Sequence, residues 1–379
     1  MSKIHSRCTQ FRRMSPMLLA MATALSPLTV SQLAHKLIAP IHLPYQPTTE
    51  VISSLSPYCT QTMHVIVGPP IADLSLVIVK PILHGKRTGT RASGSCLAKT
   101  APNSSAEGTI LLLPGYGMPK ATMLPYSTAL AAKGYRAVLV DLRAQGESTG
   151  EYLGYGKQEA RDLVQVLGYL RQHGFVAGKV GLLGISYGAA VALDTAAIDD
   201  QISAVVAIAP FARVDPTIHR FLDMSDPQLA ATIPPLLLRQ AIEQAGHIVG
   251  YPLAEADPLR AVSAIRAPVL YLAGAEDPVT PLPDVQALAA KTPHSQIIIE
   301  AQKNHLTLTS DVPLIVNNAI QWFERYVAIK PGNASLPRNK KAAVHEQHTI
   351  AALPFGAGNV QSSSGRLSSY RRDYALAHT

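Results

Sequence analysis

Short apolar runs and longer amphipathic stretches alternate through the middle of the chain. Ile110 to Leu113, Ala137 to Val140, Val180 to Leu183, Ala204 to Ile208, Val269 to Leu272 and Gln296 to Ile299 are nearly continuous hydrophobic runs, the pattern of strands covered on both faces. Lys157 to Arg171 repeats with a helical period instead. It sets Leu163, Val166, Leu167 and Leu170 on one stripe, and Gly174 follows as a stop. Ala189 to Ala197 reads as a helix of small residues, and Ile315 to Val327 closes the series. This alternation predicts an α/β fold with a doubly wound, mostly parallel sheet, whose ligands lie beyond the carboxyl ends of the strands.

Upstream, Gln61 to Val67 and Leu74 to Val79 read as two strands joined at Gly68-Pro69-Pro70, a turn because prolines donate no ladder hydrogen bonds. Residues 83 to 108, rich in Gly, Ser, Thr and Lys, form a loop into the sheet. Some sixty residues separate the strand ending at Ile208 from the one starting at Val269, too many for one crossover. They include a helix from Ile233 to Val249, and 214–260 is read as a small helical lid. Its Leu236, Leu237, Leu238, Ile242, Ile248 and Val249 either pack the lid on the body or line an acyl pocket.

Composition limits the function classes. With 379 residues, 47% hydrophobic and 15% charged, the chain is neither disordered nor fibrous, and the body lacks an uninterrupted apolar run of transmembrane length. The net charge of +8 sits at the ends. Residues 1–49 carry Lys3, Arg7, Arg12, Arg13 and Lys36 and no acid, and 330–379 carry seven basic and two acidic residues. Each end thus contributes +5, which leaves −2 for the middle and no nucleic-acid footprint. Cys8, Cys59 and Cys96 include no CxxC pair, so neither a disulfide scaffold nor a cysteine-rich zinc module is indicated.

The basic N-terminus and the uncharged run Met14 to Val30 resemble an export signal or membrane anchor, taken as residues 1–35. The alternative is a short helix packed on the body of a cytoplasmic protein. Export would let Cys59 and Cys96 pair, whereas the cytoplasm would keep them reduced. Residues 36–107 are then the N-terminal strands and loop, 108–328 the main α/β domain, and 329–379, without sustained periodicity, a tail expected to be disordered.

The chemistry-bearing pattern is Gly184-Ile185-Ser186-Tyr187-Gly188, directly after a strand and before a small-residue helix. There Gly184 and Gly188 let the backbone make a strained bend that holds the serine hydroxyl over the sheet edge. A serine needs a base, and the base an orienting acid. Asp277 follows the strand Val269 to Leu272, with Glu276 as its adjacent competitor, and His305 follows the next strand. His294 precedes that strand and belongs to the opposite edge. The order Ser186, Asp277, His305 is that of nucleophile, acid and base in nucleophile-elbow enzymes. Candidate oxyanion donors are the amides of Tyr187, after the nucleophile, and of Tyr116, in the Pro114-Gly115-Tyr116-Gly117 loop, where Gly115 allows close approach.

LLLPGYG at 111–117, GYRAVLVDLRAQGESTG at 134–150, GLLGISYGAA at 181–190, APVLYLAGAEDPVTP at 267–281 and NHLTL at 304–308 together resemble the α/β-hydrolase superfamily. Within it, the chain is similar to bacterial hydrolases of the serine aminopeptidase or dienelactone hydrolase-like type. The chain differs from the usual pattern at three places: Pro114 replaces a histidine, Ala144 the first glycine of a loop, and Lys303-Asn304 the glycines before the catalytic histidine.

The resulting expectation is a serine hydrolase that cleaves carboxylic esters, with thioesters or small amides as further substrates, through an acyl-enzyme. No metal or organic cofactor is required, and the partner is a small acyl substrate. Two alternatives stand beside it. One is an aminopeptidase-like peptidase, with Glu255 or Asp257 of the lid as its acidic feature. The other is a catalytically impaired, membrane-associated binding protein of the same fold.

Overall fold

A computed structural model describes residues 29–41, 58–81 and 106–328. Most of the leader reading, the loop at 82–105 with Cys96, and the tail from 329 lie outside the described residues. The apolar runs form β1 (Cys59–Val67), β2 (Ala72–Lys80), β3 (Thr109–Leu113), β4 (Arg136–Val140), β5 (Val180–Ile185), β6 (Ile202–Ile208), β7 (Val269–Gly274) and β8 (Ser295–Glu300). They make one sheet in the order β1-β2-β4-β3-β5-β6-β7-β8. The β1–β2 hairpin is antiparallel and β2 meets β4 antiparallel; every neighbouring pair from β4 to β8 is parallel. This is the α/β-hydrolase fold.

Helices occupy the connections: α1 (Val30–Ile38), α2 (Leu124–Ala132), α3 (Lys157–Gln172), α4 (Tyr187–Ile198), α5 (Val214–Ser225), α6 (Pro227–Thr232), α7 (Pro235–Val249), α8 (Pro258–Ala261), α9 (Leu282–Lys291), α10 (His305–Thr309) and α11 (Val312–Tyr326). Strand side chains alternate between two cores because successive residues leave opposite faces. Leu111, Leu113, Val138 and Val140 join Leu163, Val166 and Leu170 of α3 on one side. Ile110, Leu112, Ala137 and Leu139 join Leu130 of α2 and Ile315, Ala319 and Phe323 of α11 on the other. A Cβ on Gly181 would sit 2.8 Å from both Ile110 and Phe323, so α11 lies tight against β5. Helix α4 is buried along almost its whole length, from Tyr187 to Ala196, which fits its uniformly small, apolar sequence. The expectation of two covered faces fails at β8: it is the sheet's edge, and Ile299 there is 43% exposed.

The segment 214–260, read as the lid, contains α5, α6 and α7. Leu238 and Ile242 are buried in the core while Leu236 is 63% exposed, so the apolar stripe chiefly packs the lid onto the body. Its other partner is α1, which lies along α7 with Leu33, Ala34 and Ile38 buried. A capping box starts α1: Thr29 Oγ1 accepts the Gln32 amide at 3.2 Å and Gln32 Oε1 accepts the Thr29 amide at 2.9 Å. Its end is stitched to the body, since Ile38 O accepts the Leu153 amide at 3.0 Å and Leu37 O accepts the Tyr155 hydroxyl at 2.7 Å. The 1–35 leader assignment therefore overlaps by several residues a helix that belongs to the folded body. Periodicity over one short helix could not reveal this, because its partner is a lid helix two hundred residues away. Among the described residues no helix is long and apolar enough to cross a membrane.

Ile38→Ala removes a fully buried side chain at this junction and is expected to lower unfolding free energy by about 2–5 kcal/mol. Denaturant titration of the two proteins checks this, and a change below about 0.5 kcal/mol would show that α1 is not part of the cooperative core.

Candidate active site

Parallel pairing brings the carboxyl ends of β3, β5, β7 and β8 to one edge: Leu113 pairs with Gly184, and Gly274 with Glu300. Ser186 follows β5 at φ 52° and ψ −110°, a conformation rare for a side-chain-bearing residue and costing on the order of 1–3 kcal/mol. Both glycines of the turn are sterically compelled. A Cβ on Gly184 would lie 2.1 Å from the Gly188 carbonyl oxygen, and one on Gly188 would lie 2.2 Å from Leu113 O and 2.5 Å from Pro114 O. The Ser186 amide donates to Ile208 O at 2.8 Å, which ties the turn to the end of β6.

The loops after β7 and β8 are zipped together. Lys303 O accepts the Glu276 amide at 3.1 Å and Glu300 O accepts the Ala275 amide at 3.0 Å. A Cβ on Gly274 would stand 2.3 Å from Lys303 O. Close approach is thus supplied by a glycine on the β7 side, which is why Lys303-Asn304 can occupy the place of the family's glycines. Asn304 then opens α10 by a capping box, its Oδ1 accepting the Thr307 amide at 3.0 Å while Thr307 Oγ1 accepts the Asn304 amide at 2.9 Å. His305 is the first residue of that helix and is buried.

These loops bring Ser186, His305 and Asp277 into one hydrogen-bonded series. His305 Nε2 lies 3.0 Å from Ser186 Oγ, and Nδ1 lies 2.7 Å from Asp277 Oδ2. The carboxylate only accepts, so the network puts the proton on Nδ1 and leaves Nε2 to accept from the serine hydroxyl. Asp277 Oδ1 accepts the amides of Val279 and Thr280, each at 2.8 Å, and Oδ2 accepts the Thr280 hydroxyl at 2.7 Å. Burial pushes the Asp277 pKa upward, but the bonds from His305 and Thr280 outweigh it and hold the carboxyl below its ordinary value. Glu276 points to solvent, and His294 sits at the amino end of β7, where its carbonyl accepts the Val269 amide at 2.8 Å.

Gly115 passes beside the serine, a Cβ there being 3.9 Å from Ser186 Cβ. The Tyr187 amide belongs to the first turn of α4 and so has no partner within the helix. The Tyr187 ring is anchored from behind: its hydroxyl donates to Glu159 Oε1 at 2.8 Å and accepts the Tyr155 amide at 2.9 Å. Buried Glu159 also accepts the Gly154 and Gly156 amides at 2.6 and 2.9 Å, and burial raises its pKa. Tyr116 stands between Tyr187, at 5.9 Å between ring centroids, and Phe221 of α5, edge-on at 5.2 Å. Burial pushes the Tyr116 pKa up to about 12, so its hydroxyl stays neutral.

Sequence reasoning did not single out Thr280, Glu159 or Lys120. Lys120 is fully buried and closes the far end of the loop after β3, its Nζ lying 2.6 Å from Asp141 Oδ2 and 2.5 Å from Glu147 Oε2. Thr280, three residues beyond Asp277, left a local signal as a side chain capping the turn behind it, and Glu159 left one as the third residue of a helix whose start it caps. Among the described residues no group of three His, Cys, Asp or Glu could hold a metal ion.

An edge of this kind, with a strained serine after β5 and a histidine after the last strand, defines a class of protein. Residues 110–317 match the family model described as the alpha/beta hydrolase family, and the chain belongs to that family. It is 27% identical over 212 residues to the uncharacterized protein YqkD of Bacillus subtilis, a match covering 54% of this chain and 67% of that one. It is 30% identical over 113 residues to the polyketide transferase grgF of a Penicillium species, spanning 29% of this chain and 38% of the relative. The structure resembles the Pyrococcus furiosus esterase Pf2001 with a TM-score of 0.56 at 19% identity, over 77% of this chain and 98% of the esterase.

Gly188→Ala is expected to abolish soluble folded protein or reduce its melting temperature sharply, because its Cβ meets two carbonyl oxygens with no room to move; a melting curve like the wild type would refute that steric account. The depressed Asp277 pKa gives a second expectation. Its contribution to stability is complete above the carboxyl's unfolded-state pKa and is lost as pH falls through the lower folded value. Asp277→Asn should therefore flatten the acid limb of the stability-against-pH curve, measured by denaturant midpoints.

Proposed function

We propose that the protein is a serine hydrolase that cleaves carboxylic esters through a covalent acyl-enzyme. The observation that carries this reading is the Asp277–His305–Ser186 series, ending at a hydroxyl held on a strained turn. Ser186 Oγ attacks the acyl carbon as its proton passes to His305 Nε2. Asp277 keeps Nδ1 protonated and stabilises the imidazolium that forms. The Tyr187 and Tyr116 amides receive the negative charge developing on the carbonyl oxygen, as in other preorganised acyl-transfer sites. His305 then gives its proton to the leaving alcohol. Water, deprotonated by His305, attacks the acyl-enzyme and releases the acid with regeneration of Ser186.

The peptidase alternative loses its motive residues. Asp257 Oδ1 accepts the Val214 amide at 2.8 Å, capping α5, and Glu255 pairs with Lys157 on the surface. Both of these acids thus have protein partners. The ligand of this proposal is a small acyl compound, and no cofactor enters any step. Export or membrane attachment remains attached to the basic N-terminus; a cleaved leader would have to end before Thr29 to leave α1 whole.

Labelling with a fluorophosphonate probe is expected for the wild type and for neither Ser186→Ala nor His305→Ala. With p-nitrophenyl esters, Ser186→Ala should lower kcat by about 10⁴-fold or more. Folded wild-type protein that neither labels nor turns over these esters would sink the hydrolase reading and favour the binding-protein one.

A further inference from the structure

Gly115, Tyr116, Gly117 and Met118 form a turn closed by the Met118 amide donating to Gly115 O at 3.1 Å. Gly117 takes φ +68°, the sign that the third residue of a type II turn requires. Types I and II differ by a flip of the central peptide, here the Tyr116–Gly117 unit, and a loop containing glycine at that position is free to take either. Something outside the turn must choose between them.

The neighbouring loop supplies it. Ala144, in place of the family's glycine, holds φ 59°, and its carbonyl accepts the Ile41 amide at 2.8 Å. Gln145, the next residue, pairs with Ile41 in a parallel bridge and is fully buried. Its Oε1 accepts the Gly117 amide at 2.6 Å. Only the oxygen of a carboxamide accepts from an N–H, so this bond sets which end of Gln145 faces the turn. Its Nε2 is buried without a hydrogen-bond partner among the described residues, an unfavourable arrangement that an apolar side chain of equal size would avoid. From the other side, Ile41 Cγ2 would lie 3.2 Å from a Cβ on Gly117. The same loop grips the turn's far end, because Asp141 Oδ1 accepts the Lys120 amide at 2.5 Å.

We propose that Gln145 is a positioning residue for the oxyanion loop: by accepting the Gly117 amide it holds the Gly115–Met118 turn, whose Gly115 passes beside Ser186, in one form, and so fixes where the Tyr116 amide of the acyl-transfer reading stands. In the flipped form the Tyr116 carbonyl would meet Gln145 Oε1, oxygen against oxygen, and the turn would shift away from the serine. The inference rests on the acyl-transfer reading above. It gives the N-terminal segment a part in the site as well, since Ile41 backs both Gln145 and Gly117.

The test compares wild type, Ser186→Ala, Gln145→Met and Gln145→Glu in the full chain. Methionine preserves volume and removes the acceptor; glutamate keeps an oxygen in the same place. Wild type that labels with fluorophosphonate while Ser186→Ala does not establishes the underlying reading independently, and an unlabelled wild type would end both. Gln145→Met is expected to lower kcat for p-nitrophenyl butyrate by about 10- to 100-fold, with KM within about twofold of wild type. The pH at which activity falls on the acid side should not move, because Asp277 and His305 are untouched. Gln145→Glu should recover most of kcat. Wild-type kcat in Gln145→Met, a loss confined to KM, or an equal fall in both variants would overturn the proposal. If Gln145→Met fails to melt cooperatively, Gln145→Asn, polar but one methylene too short to reach Gly117, carries the same expectation and the same refutation.

Discussion

Backbone meets backbone at the turn after β5, and no side-chain atom can stand between. The positions a Cβ would take on Gly184 and Gly188 are filled by the carbonyls of Gly188, Leu113 and Pro114. This contact fixes the distance between the serine turn and the loop after β3. It also forces Ser186 into a conformation that an unconstrained chain would leave. The strain is sustained by the flanking core, where β5 and α4 are buried almost without exception. A surface turn could not hold the serine in this way.

The same device recurs once more around the site. Gly274 lets the loops after β7 and β8 touch at Lys303, so Asp277 and His305 arrive already paired. Directional polar bonds then add what steric contact cannot: Thr280 and two amides aim the Asp277 carboxylate, Glu159 pins the Tyr187 ring, and the Lys120–Asp141 pair closes the loop after β3. These groups are buried, and each carboxylate among them accepts several donors, as a buried polar group requires. Elsewhere α1 packs along α7, so a segment from the N-terminal part of the chain joins the same core as the lid.

Much of this was legible in the chain itself. The strands Ile110 to Leu113 and Val180 to Leu183 were readable because two-sided burial writes continuous apolar runs, and Ser186 because a strand, two glycines and a small-residue helix surround it. Pairing Asp277 with His305 followed from the carboxyl-edge rule for parallel sheets. Hidden from that reading were α1, whose short stripe resembles an export segment, and β8, whose apolar run gives no sign that it lies at the edge. Gln145 was hidden too, since a polar residue in a loop looks the same whether it faces water or an amide about thirty residues away.

By itself, then, the sequence determined most of the elements, their parallel arrangement and the carboxyl edge to which Ser186, Asp277 and His305 come. These are consequences of local periodicity and of glycine positions, which act within a few residues. Tertiary structure alone decided that Gly274 meets the Lys303 carbonyl, that Asp257 and Glu255 bond to Val214 and Lys157, and that Gln145 accepts the Gly117 amide. Each of those outcomes depends on an atom supplied by a distant segment. Such atoms enter no pattern until folding brings them within hydrogen-bonding distance.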